Sequence, residues 1–170
     1  MYSSRNIWFL ARKGLLSMHL PVYHPLPCKA RVLFVRPAGV LFAPEGSPEM
    51  TRRYVWAAIL EDLLAPYPDV CIVYLRAHDE PNEAEMLRTQ LGRLGQRVIE
   101  ILTTGDEAVG STVAGWRQHH PEVLQVCLLA CVALASSNMD CVKCDAALGV
   151  SASEVRSLLQ VWLQAAQMAA

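Results

Sequence analysis

Val70-Cys71-Ile72-Val73-Tyr74-Leu75 is an unbroken apolar run of strand length, bounded by Pro66 and Pro68 on one side and Arg76 on the other. A run that never alternates with polar residues predicts a β-strand covered on both faces. Helical patterns flank it. Upstream, Ser47-Pro48-Glu49 opens a helix with a serine N-cap, a proline where no amide donor is needed, and an acid near the positive dipole end. Val55, Trp56, Ile59, Leu60 and Leu63 then recur at helical spacing until the prolines stop the helix.

Downstream, Asn82 can cap a second helix with Glu85 as its box partner, Ala84, Leu87, Leu91 and Leu94 as its inward stripe, and Gly95 at its end. Arg97 to Leu102 reads as another strand. Near the start, Arg31–Val35 and Val40–Ala43 are short β-prone runs that form a hairpin or one interrupted strand. Residues 40–102 therefore run strand, helix, strand, helix, strand, which predicts a small parallel, Rossmann-like α/β sheet with flanking helices and right-handed crossovers. From Asp106 onward the pattern predicts helices over about 106–119, 121–136, 140–148 and 152–168.

With 170 residues, 53% of them apolar, the chain has enough hydrophobic material for one core. Three prolines between Leu20 and Pro27 mark a linker. The expected organisation is a flexible basic leader over 1–29, an α/β domain over 30–119 and a helical region over 120–170. The leader is acid-free and carries Arg5, Arg12 and Lys13, a composition that fits a transit peptide, a leader without structure, or an overlong start with Met18 as initiator. Residues 1–44 hold six basic and no acidic side chains, so a net charge of −1 leaves the remainder at −7. An acidic body argues against strong nonspecific affinity for nucleic acid.

Six cysteines in a chain with an ample core point to a reducing compartment, the cytoplasm. The longest apolar run of the carboxyl half, Val123 to Ala135, has 13 residues, short of the roughly 20 that cross a bilayer. No membrane partner is expected, and the run reads as a buried helix.

Loops that follow parallel strands lie at one edge of the sheet, where open α/β sheets bind ligands. Ser47, Arg76, His78, Thr103 and Thr104 are the candidates there: helix-start amides, a cation, a titratable ring and two hydroxyls suited to an anionic or nucleotide-like ligand. Glu45, Asp79 and Asp106 can alternatively hold a divalent cation. No phosphate loop, dinucleotide fingerprint or nucleophile elbow is present, so the same loops read first as capped, solvated turns, and neither catalysis nor a cofactor has a positive signature. Cys127, Cys131, Cys141 and Cys144 match the ligand count of a structural zinc. Two of them lie in a very apolar run, where cysteine packs as a small hydrophobe, so no metal is expected. His119-His120 before Pro121 reads as a helix C-terminal pair.

Ala146 to Leu159 reads as helix, glycine turn, serine-capped helix, with Gly149 in the left-handed region and Val150 plugging the corner. Leu148-Gly149-Val150-Ser151, followed by Ser153, Val155 and Arg156, is similar to the turn and recognition helix of bacterial helix-turn-helix regulators over about 25 residues. That resemblance implies DNA contacts from Ser151, Ser153, Arg156 and Ser157, with Lys143 as a second cation. Asp145 stands where such motifs carry a small apolar residue, which favours a solvent-facing register. Leu159, Trp162 and Leu163 beyond the motif form either a partner or homodimer interface or an internal packing face. The expected function is thus a non-enzymatic regulator that binds DNA weakly or through a partner, with the α/β part as a sensor or dimerisation module. The alternatives are a protein-interaction adaptor using the carboxyl-terminal helices, and a small nucleotide-binding α/β enzyme in which Arg76, His78 and Asp106 converge.

Overall fold

The structure, a computed structural model, describes residues 30–43, 54–78, 84–131 and 139–165. Five parallel strands form one sheet: β1 (Arg31–Val35), β2 (Val70–Arg76), β3 (Val98–Thr103), β4 (Gln125–Ala130) and β5 (Asp140–Lys143), ordered β3-β2-β1-β4-β5. The helices are α1 (Ala57–Leu64), α2 (Ala84–Gln90), α3 (Val109–His119) and α4 (Ser153–Ala165). Chain direction across the sheet reverses between β1 and β4, the switch point at which open α/β sheets leave a crevice.

Alternate strand residues enter opposite cores. Leu33, Val35, Ile72, Tyr74, Cys127 and Leu129 face a core shared with α1, α2 and α4, whereas Val32, Phe34, Val73, Leu75, Val126 and Leu128 face α3 through Val109, Val113 and Trp116. Phe34 meets Trp116 edge to face with ring centroids 5.2 Å apart. Double burial explains why β2 is apolar from Val70 to Leu75.

The prolines after Leu64 end α1 as expected, and its last carbonyls find a donor elsewhere. The Arg97 guanidinium donates to Leu64 O, Tyr67 O and Val70 O at 2.8 to 3.1 Å, so one side chain binds the end of α1 to the start of β2. The strand expected over 97–102 is β3, one residue later. Helix α2 stops at Gln90, before the expected Gly95, and a 3-10 turn over Gly92–Arg97 leads into β3. Helix α3, preceded by a 3-10 turn over Asp106–Ala108, matches the helix expected over 106–119. The openings at Ser47 and Asn82 lie outside the described residues.

Three expectations are corrected. Val40–Ala43 is not a strand: Val40 and Leu41 donate to Pro37 O, closing a turn whose only ladder contact is the bridge between Ala38 and Phe42. The apolar stretch expected as a helix over 121–136 contains β4, paired with β1 from Arg31↔Gln125 to Val35↔Leu129. The helix expected over 140–148 begins as β5, paired with β4, and continues as a turn. Each of the two misread segments is short and gains its backbone partners from a strand far away in sequence, which local periodicity does not register. The sheet consequently runs across residue 120, and α4 packs on it with Val155, Leu159, Trp162 and Leu163 buried in the α1-side core.

Gly149 sits where the expectation placed it, at φ +51°, with Val150 fully buried beside it. Its surroundings differ. A Cβ on Gly149 would come within 2.3 Å of the Trp56 ring and 2.6 Å of Val40 O, and Val150 N donates to Val40 O at 3.1 Å. The turn thus packs on the loop after β1 and on the residue before α1, and only glycine fits both the backbone and the space.

Candidate functional site

At the carboxyl edge of the sheet, side chains from β1, β2 and β3 converge. Arg36 follows β1 and continues its pairing, its N–H donating to Leu129 O at 3.0 Å. Its guanidinium crosses β2, donating from Nη1 to Thr104 O at 2.8 Å and from Nη2 to Asp106 Oδ1 at 2.5 Å. Arg76, at the end of β2, donates to Thr103 Oγ1 from Nη2 at 2.9 Å and from Nε at 3.3 Å. Thr104 is buried, and its hydroxyl lies 3.0 Å from that of Thr112 in α3. On the far side of β1, Cys131 follows β4 and its thiol donates to Ala38 O at 2.8 Å. Gly39, at φ +69°, lies so close that a Cβ there would reach 2.1 Å from Cys131 Sγ. Among the described residues, the Cys131–Ala38 bond and the close approach of Gly39 join the two strands at the switch point.

Of the expected ligand residues, Arg76, Thr103 and Thr104 come together at this edge, with Arg76 bonded to Thr103. His78 is exposed just beyond β2, and Ser47, Glu45 and Asp79 lie outside the described residues. Asp106 binds Arg36, a residue the sequence reading passed over as part of a loop. A charged residue directly after the apolar run Val32–Val35 was the available signal, because at that position it must find a partner at the sheet edge.

The thiols of the described cysteines are poor nucleophiles. Burial pushes Cys127 and Cys144 up to about 12, and burial likewise raises Cys71, Cys131 and Cys141 above the ordinary thiol value. A thiol held protonated is a weak nucleophile at neutral pH. Among the described residues no three His, Cys, Asp or Glu side chains gather to hold a metal ion. Cys127 lies within β4 and Cys141 within β5, not on helices.

The residues expected to contact DNA are spread over three elements. Lys143 is exposed on edge strand β5, and Ser151 is half-buried in the 3-10 turn before α4, where its hydroxyl donates to Leu148 O. Ser153, Arg156 and Ser157 line a groove of about 520 Å³ between α4 and α1 that also contains Asp62. Asp145 is exposed and accepts from Ala147 N at 2.8 Å, capping its own turn. Leu159, Trp162 and Leu163 are buried in the core, the internal packing alternative for that helix. What α4 does expose is a different stripe, with Leu158 49% and Val161 66% accessible.

His119 and His120 fall at the end of α3, as expected. His120 stacks on Trp116 at 4.0 Å and lies 3.1 Å from Glu122, while Trp116 donates to Glu100 Oε2 at 2.6 Å. These contacts fasten α3 to β3 and to the start of β4, away from the carboxyl edge.

No protein-family model, curated protein or solved structure matches this chain. Among the described residues no helix is long and apolar enough to cross a membrane.

Proposed function

We propose that this chain is a non-catalytic interaction module, an α/β body that presents helix α4 to a protein partner. The observation that carries the reading is the occupied carboxyl edge. Arg36 is spent on Asp106 and Thr104 O, Thr103 receives Arg76, Thr104 is paired with Thr112, and Cys131 is bonded to Ala38 O. Among the described residues, Arg36, Arg76, Thr103, Thr104 and Cys131 at this edge are bonded within the chain, and burial raises the Cys131 and Cys144 thiols.

A protein partner is favoured over DNA by the same helix. Phosphate recognition needs several cations in one stripe, whereas α4 offers Arg156 alone beside Glu154, and Asp62 shares the groove that Arg156 lines. Its outward side instead carries Leu158 and Val161 at half to two-thirds exposure, an arrangement suited to an apolar contact. The helix-turn-helix resemblance supports DNA binding as a second reading, with Arg156 and Lys143 as its cations.

Fluorescence polarisation with random duplex DNA at low and moderate salt separates the two. The module reading expects no salt-dependent binding, and binding lost in Arg156→Ala and Lys143→Ala would replace it with the DNA reading. Leu158→Asp and Val161→Asp should leave thermal melting unchanged while abolishing partner association.

A further inference from the structure

Two cysteines stand opposite each other where β4 and β5 end. The ladder between these strands runs from Cys127↔Asp140 to Ala130↔Lys143, and one step further Cys144 N donates to Ala130 O at 2.9 Å. The same bond elsewhere in the sheet, from Arg31 N to Asp69 O, belongs to the pair Arg31↔Val70, so Cys144 is the partner of Cys131. Neighbouring strands lie about 4.8 Å apart, within the roughly 4.4 to 6.8 Å between α-carbons that a disulfide spans. Opposed residues also share a face: Leu129 and Val142, two positions back, both enter the α1-side core, as does Cys144. A Cβ on Gly39 would stand 2.1 Å from Cys131 Sγ and 3.1 Å from Ala146 Cα, so the segment leaving β5 lies close to the Cys131 side chain. Burial, and after it the neighbouring Cys131, push the Cys144 thiol up to about 12. The other described cysteines have no such partner, since Cys127 faces Asp140, Cys141 faces Leu128 and Cys71 faces Val32.

We propose that Cys131 and Cys144 form a reversible disulfide that ties the carboxyl ends of β4 and β5, with a low-molecular-weight disulfide of the glutathione class as the oxidant. Cys131 is half-buried and Cys144 is 2% exposed, so Cys131 is the point of entry. Cys131 gives its proton to water, and its thiolate attacks one sulfur of the oxidant. The oxidant's S–S bond breaks, and one small thiolate leaves with the electron pair and is protonated. Cys144, deprotonated in turn, attacks Cys131 Sγ of the mixed disulfide and expels the second small thiol. Two protein thiols are thereby oxidised to one disulfide, and one small disulfide is reduced to two thiols. Burial slows both attacks, because the thiolate is the reacting form, while the fixed register favours closure at equilibrium. Closure removes the S–H that donates to Ala38 O, so oxidation exchanges a hydrogen bond to the loop after β1 for a covalent bond to β5. The inference goes beyond the interaction-module reading and stands independently of it.

Equilibration of the full chain in glutathione buffers of rising oxidised fraction, followed by acid quenching, thiol counting and non-reducing peptide mapping, tests it. The wild type should pass from six free thiols to four, with a single cross-link that joins Cys131 to Cys144. In urea, where nothing holds the register, the same bond should need a buffer about tenfold or more oxidising. Cys131→Ser should keep all five of its thiols under conditions that close the wild type, and Cys141→Ser should still lose two. Cys144→Ala should likewise keep five, and because that position is buried, circular-dichroism melting accompanies it; Cys131→Ser, at a half-buried position, carries the same prediction if Cys144→Ala fails to fold. Six thiols retained throughout, a glutathione adduct on Cys131 that never gives way to the cross-link, a cross-link between any other pair, or closure as easy in urea as in buffer would overturn the proposal.

Discussion

The first residue of β1 and the residue just past its last one are both buried arginines, at opposite ends of one strand and in opposite situations. Arg31, at the amino edge, is 3% exposed and saturated: it donates to both oxygens of Asp69, to Leu163 O at 2.5 Å, and lies over the rings of Tyr67 and Trp162. It joins the start of β1, the start of β2 and the end of α4, elements more than 130 residues apart in the chain. Arg36, at the carboxyl edge, holds only the turn before α3, through Thr104 O and an Asp106 side chain that is 65% exposed. The amino edge is a structural brace with no freedom left. The carboxyl edge is held by one buried bond, to Thr104 O, and by an ion pair whose acid is open to water.

Removing each arginine should expose that difference. Arg31→Met leaves Asp69 without its partner and Leu163 O without its donor, and should cost roughly 3 kcal/mol or more in urea unfolding. Arg36→Met leaves a carbonyl short of a donor but an acid free to hydrate, and should cost about 1 to 2 kcal/mol. Equal losses would break the comparison. Gly149→Ala tests the packing of the turn before α4: a Cβ that meets the Trp56 ring and Val40 O, on a backbone at positive φ, should cost roughly 2 to 3 kcal/mol. A turn that served only as a helical corner would tolerate alanine at about 1 kcal/mol.

Acid sharpens the comparison further. The hydrogen bond from Arg31 holds the Asp69 carboxyl below its ordinary value, against an opposing push from partial burial. Because the folded state binds this proton less readily than the unfolded state, the stabilisation is present above the ordinary carboxylate value and is lost as pH falls through the lowered one. Asp69→Asn should therefore flatten the stability profile below about pH 4, by a modest amount because the carboxylate is 42% exposed. The smallest effect belongs to Asp106→Asn, expected within about 1 kcal/mol in thermal melting because the pair is exposed on the acid's side.

The α/β class, β2, β3 and the helices α1 and α3 were legible because each is long or strongly patterned within its own segment. Val126–Ala130 and Val70–Leu75 are both unbroken apolar runs, yet the second was read as a strand and the first as a helix. A doubly covered strand carries no period, so only its flanks distinguish it: prolines bracket the start of β2, whereas the β4 run continues in apolar residues on to Ala135. The carboxyl edge was half legible, since Arg76, Thr103 and Thr104 follow from strand ends, while Arg36 was hidden in the link between two short runs read as a hairpin or one interrupted strand. The α1–α4 groove was not legible at all. Asp62 and Arg156 are 94 residues apart, and no local pattern joins them.

By itself the sequence determined which segments are apolar enough to be buried, where prolines and glycines interrupt them, and that the backbone at Gly149 turns through the left-handed region. Those are properties of single residues and near neighbours. Only the tertiary structure decided that β4 and β5 extend the sheet on the far side of β1, that Leu159, Trp162 and Leu163 point inward, and which arginines are spent within the fold. The reason is that strand pairing and ion pairing are satisfied by distant partners, and a residue's availability for function is what remains after those partners have been found.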